Sequence, residues 1–144
     1  MLYSNIFILR ISSLKDFMNI VATRTFPVGQ VVASWRIFYW HWGIVTDSWK
    51  DGEQTVISCS GLRHMVVEEP MGIFRQGNSI ESRDFPSTLP VREVLVRARG
   101  KLGQRYDLLS WNCEHFVYDS FGLDKQSPQL KQLALCAIGL ALLR

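Results

Sequence analysis

The stretch "VVASWRIFYWHWGIVTDSWKDGEQTVISCSGLRHMVVEE" (residues 31–69) decides the fold class. It is rich in β-branched and aromatic residues and contains no proline, the composition of strands. Residues 31–47 read as one or two strands with a break near Phe38–Trp40. Asp51-Gly52 is a hairpin turn signal. "TVISCS" (55–60) is the next strand, Gly61 turns the chain, and residues 63–69 form a third. Three sequential strands are most easily arranged as an antiparallel meander.

Downstream the pattern changes. Residues 69–90 read as a polar connection with a short helical turn near Met71–Gln76. After Pro90, the residues Val91, Val94, Leu95, Ala98 and Leu102 fall at helical spacing, and Gly103 is a natural stop. "NCEHFVYDSFG" (112–122) is a second helix, with Asn112 as N-cap and Phe116, Val117 and Phe121 on its buried side. "SPQLKQLALCAIGLALL" (127–143) is a third, with Ser127 as N-cap and Pro128 at the first helical position. Strands first and helices after predict an α+β fold.

The chain has 144 residues, 47% of them apolar, which suits one domain with a packed core. Residues 1–25 form an N-terminal leader extension, and residues 26–144 form the domain. The net charge of +3 is too small and too scattered for a nucleic-acid binder. Arg92, Arg97, Arg99, Lys101 and Arg105 read as a solvated helix face. Three widely spaced cysteines make neither a disulfide framework nor a zinc motif, so a reducing, cytoplasmic setting is expected, without metal or cofactor. The apolar run 133–143 would reach about 16 Å as a helix, half of a bilayer core. A buried core helix is the first reading of it, with peripheral membrane contact as the alternative.

Cys59 and Cys136 sit in apolar runs and read as packing thiols. Cys113 stands at a helix start, where free N–H groups and the positive end of the helix favour thiolate and could accept an oxyanion. His115 lies two residues on, about half a helical turn away, and is a poor direct base. His41, in the strand "YWHWGIV", and His64, beyond the Gly61 turn, are the remaining histidines.

"NCEHF" (112–116), preceded by "LGQRYDLLSW" (102–111), resembles the signature of the lecithin:retinol acyltransferase-like (LRAT/H-rev107) group. This group is a branch of the NlpC/P60 cysteine-hydrolase superfamily. The resemblance extends to "GQVVASWRIFYWHWGIV" (29–45), to "TVIS" (55–58) and to "VVEEPMGIFRQG" (66–77). It implies a circularly permuted papain-like α+β domain, its antiparallel sheet carrying the histidine strand ahead of the helix that carries the cysteine. Cys113 matches the nucleophile and His41 the general base. Ser58 stands where the family often has a second histidine that orients the first; His64 is the runner-up for that role. Tyr39 could lend a hydroxyl to the oxyanion site. The implied chemistry is acyl transfer from an ester or amide through a thioester on Cys113.

Overall fold

In the computed structural model, residues 25–142 apart from Ser87 are described. Of the leader, residues 1–24 lie outside the described residues. Strands β1 (Val31–Arg36), β2 (Tyr39–Lys50), β3 (Glu53–Ser60) and β4 (Met65–Pro70) form the expected meander. Helix α1 (Met71–Arg75) and strand β5 (Ile80–Arg83) follow, then helices α2 (Val91–Arg99), α3 (Cys113–Ser120) and α4 (Pro128–Leu142). The sheet order is β4-β3-β2-β1-β5, with every pair antiparallel.

Turn chemistry sets the register. β1 and β2 pair from Val31↔Ile44 to Arg36↔Tyr39, so the chain reverses at Ile37-Phe38. Asp51 and Gly52 both take positive φ, 54° and 80°, as a two-residue hairpin loop with matching twist requires. β5 falls inside the stretch expected to be a polar connection. It is a four-residue edge strand of sequence IESR with a single apolar residue, held by pairing to β1. Such a strand carries almost no hydrophobic alternation.

Alternation along β2 and β3 divides the core between the two faces of the sheet. Ile44, Ile57 and Cys59 point to one face and pack with Val94, Leu95 and Ala98 of α2 and Phe116 and Val117 of α3. Val45 and Val56 point to the other face and pack with Phe74 of α1. The arginines of residues 92–105 are not simply solvated. Arg99 binds Asp47 and Glu68, Lys101 binds Asp119, and Arg97 donates to the Asp119 carbonyl. These contacts tie α2 to the sheet and to α3.

Helix α4 forms where expected but is not buried. Its residues from Lys131 to Ala141 are exposed, Cys136 among them, which corrects the readings of a core helix and of a packing thiol at Cys136. Burial of an all-round apolar helix requires a second layer of protein around it. Among the described residues no element supplies that layer. No described helix is long and apolar enough to cross a membrane.

Candidate active site

Asn112 has extended φ and caps α3. Its Oδ1 accepts from the backbone N–H groups of Glu114 and His115 at 3.0 and 3.1 Å. In return, the Asn112 backbone N–H donates to His115 Nδ1 at 3.2 Å. This is a capping box with histidine at the position usually held by Glu or Gln. His115 therefore serves the helix start, and Cys113 is the first residue of α3.

The Cys113 side chain is 4% exposed. Its sulfur meets β2 at the backbone. The thiol donates to the Trp40 carbonyl at 3.8 Å, and the Trp42 N–H points at the sulfur. Both groups flank His41. The pairing of β2 with β3 begins only at Ile44↔Ile57, so the Tyr39–Gly43 part of β2 is open on that side. The sulfur occupies part of that opening.

His41 leans to the opposite face of the sheet. Its Nε2 lies 3.1 Å from Ser58 Oγ, and its ring stacks on Phe74 with centroids 5.0 Å apart. Gly43 makes the stack possible: a Cβ there would come within 2.4 Å of Val56 Cγ1 and 2.9 Å of Phe74 Cε2. The structure thus brings Ser58 to His41 and leaves His64 in the exposed turn after β3, at φ 58°. Among the described residues no hydrogen bond joins the Cys113 sulfur to the His41 ring.

Burial dominates the electrostatics of both groups. It pushes the Cys113 thiol up to about 12, against the opposing pull of the Trp42, Glu114 and Cys113 N–H groups. This reverses the thiolate expected from the helix start alone: desolvation of the anion outweighs the helix end. Burial, followed by the charge of Arg36, pushes His41 down to about 3. Both side chains rest neutral at pH 7. Cys59, also raised to about 12 by burial, packs inside the first core and donates to the Trp111 carbonyl.

Cys113 opens onto a cavity of 540 Å³ whose walls include Trp35, Phe38, Tyr39, Leu108 and Leu133. The far wall is α4. Two features beside Cys113 escape sequence reasoning, one buried and one half-buried. The first is the Glu114 carboxylate, 1% exposed, which accepts from Ser127 Oγ and, at 3.2 Å, from the Gln129 N–H. The second is Gln129 itself, whose side-chain amide bonds Trp40 on both its N–H and its carbonyl. Helix propensity and capping patterns locate Ser127 as a cap but carry no signal for these long-range partners.

Comparison with curated proteins returned no match. Comparison with family models matched residues 24–121 to lecithin retinol acyltransferase. The match covers both the His41 strand and the Cys113 helix, and the antiparallel sheet followed by helices is the papain-like α+β arrangement of that fold. The chain belongs to the lecithin retinol acyltransferase (LRAT) family.

Proposed function

We propose that the chain is a cysteine-dependent acyl hydrolase or acyltransferase that carries the acyl group as a thioester on Cys113. Its family is one of acyltransferases and hydrolases. The observation that supports the finer reading is the position of the sulfur. It sits at the first residue of a capped helix, on the wall of an apolar cavity with room for an acyl chain. The Asn112 cap takes the Glu114 and His115 N–H groups, so the Cys113 backbone N–H beside the sulfur is the one that suits a developing oxyanion, with Tyr39 on the cavity wall as a further donor.

In this reading the thiol turns away from the Trp40 carbonyl. Its sulfur attacks the substrate carbonyl while His41, oriented by Ser58, takes the proton. The carbonyl–oxygen bond of an ester, or the carbonyl–nitrogen bond of an amide, then breaks. The departing alcohol or amine takes the proton back. Water or another acceptor attacks the thioester and regenerates the thiol. Because both groups start neutral, the proton moves as the sulfur attacks rather than beforehand. The exposed apolar residues of α4 at the cavity suit a water-insoluble acyl substrate presented at a lipid surface.

A second reading is a binding module that keeps the fold without the chemistry. The separation of the His41 ring from the sulfur and the neutral state of both groups favour it. Intact mass after incubation with p-nitrophenyl hexanoate at pH 8 separates the two. One added hexanoyl group, absent in Cys113→Ala, is expected. Unmodified wild-type protein would leave the binding module standing.

A further inference from the structure

The Tyr39–Gly43 part of β2 lacks a β3 partner, and its backbone polar groups must be satisfied by other means. At Trp40, the residue before His41, a side chain does this. Gln129 Oε1 accepts from the Trp40 N–H at 2.7 Å, and Gln129 Nε2 donates to the Trp40 carbonyl at 3.0 Å. One primary amide thus makes both bonds that a neighbouring strand would make. The same Trp40 carbonyl is the acceptor for the Cys113 thiol.

Gln129 is itself held from the nucleophile's side. Its backbone N–H donates to Glu114, the residue after Cys113. Ser127 donates to the same carboxylate and accepts from Asn112 Nδ2 at 3.1 Å, the residue before Cys113. The first turn of α4 is therefore clamped to both neighbours of Cys113 and to the neighbour of His41. Gln129 lies beyond the residues that match the family, 24–121.

We infer that Gln129 is a positioning residue for Cys113: its amide replaces the missing strand along β2 and competes with the thiol for the Trp40 carbonyl. Without the amide, the carbonyl has the thiol as its remaining side-chain donor. The S–H form is then held more firmly, and a thiolate would face an uncompensated carbonyl. Loss of the amide therefore lowers thiol reactivity. The inference adds a residue to the site proposed above and rests on that site for its consequence in catalysis.

The test uses the full chain and iodoacetamide, with Cys113 alkylation followed by peptide mapping from pH 6 to 10. Gln129→Met removes both side-chain bonds at nearly constant size. Alkylation should slow about five-fold, the worth of one neutral hydrogen bond, with the pH profile displaced upward. Gln129→Glu keeps an acceptor for the Trp40 N–H but sets a carboxylate against the carbonyl, so it should slow alkylation further. Ser127→Ala loosens the helix start and leaves the Gln129 amide in place; it should lower Tm more than it moves the profile. A wild-type profile in both Gln129 variants overturns the inference. So does an equal displacement in Ser127→Ala, which would assign the effect to helix docking. An acyl-enzyme with unmoved alkylation would sink this inference alone. Displaced alkylation with no acyl-enzyme would sink only the proposed chemistry.

Discussion

Helices α3 and α4 meet at the same cavity and invert the usual relation between composition and burial. α3, sequence CEHFVYDS, carries two acids and a histidine, yet it buries Glu114 almost as completely as Phe116 and His115 nearly so. α4 is almost wholly apolar beyond Lys131, yet Leu135 and Leu140 are each 69% exposed. Position decides the difference. α3 is covered by the sheet on one side and by the first turn of α4 on another, so its polar groups need partners inside the fold; Glu114 finds them at Oε2, while its Oε1 is buried without one. α4 is held through that first turn, and the rest of it has no protein around it among the described residues. Hydrophobicity sets how much burial would stabilise a segment, but the chain's topology sets whether burial is available.

The comparison can be broken from either helix. Phe116→Ala removes a fully buried ring from α3 and should cost about 3–5 kcal/mol, read by denaturant unfolding. A loss under 1 kcal/mol would mean that α3 is not the load of the core on that face. Glu114→Ala should cost about 2–4 kcal/mol, since Ser127 and the Gln129 N–H lose a buried charged acceptor. Glu114→Gln should recover part of that loss, because it retains an acceptor oxygen.

Proton linkage sharpens the closed side of the comparison. His41 holds its proton less well folded, at about 3, than at its ordinary 6.5. Between these values the unfolded chain binds a proton that the folded chain does not, so stability rises with pH. The contribution is complete above about pH 6.5 and is lost as the pH falls towards 3. His115, also lowered by burial, acts with the same sign. Urea midpoints should therefore fall between pH 6.5 and 4.5, and His41→Gln should flatten that slope. A slope identical to wild type would show that the His41 ring is open to protons in the fold. The smallest effect belongs to α4. Leu135→Ser with Leu140→Ser should change stability by less than about 0.5 kcal/mol per site. A larger loss would reveal a layer over α4 within the folded chain.

Much of this arrangement is legible in the sequence, and the gaps share a cause. The meander follows from β-branched runs and the Asp51-Gly52 turn, and the start of α3 from Asn112. Those are local signals, carried by neighbours in the chain. β5 is missed because its place comes from hydrogen bonds to β1 rather than from its own residues. The exposure of α4 is missed because an apolar run states a preference and not a partner. Sequence position also suggests a thiolate at Cys113, since the helix end is local whereas the depth of burial is a property of the whole fold. Gln129 and Trp40 meet only once α4 returns to β2.

The histidine in the capping box has a consequence at the level of a single proton. His115 Nδ1 accepts the Asn112 N–H, so that nitrogen carries no hydrogen, and the neutral ring is fixed as the Nε2–H tautomer. A ring so committed is spelling rather than chemistry: it marks where the helix begins. The five letters around the sulfur thus divide their work, with Asn112 and His115 writing the first turn, Glu114 fastening the next helix, Phe116 filling the core, and Cys113 setting its sulfur on the cavity wall.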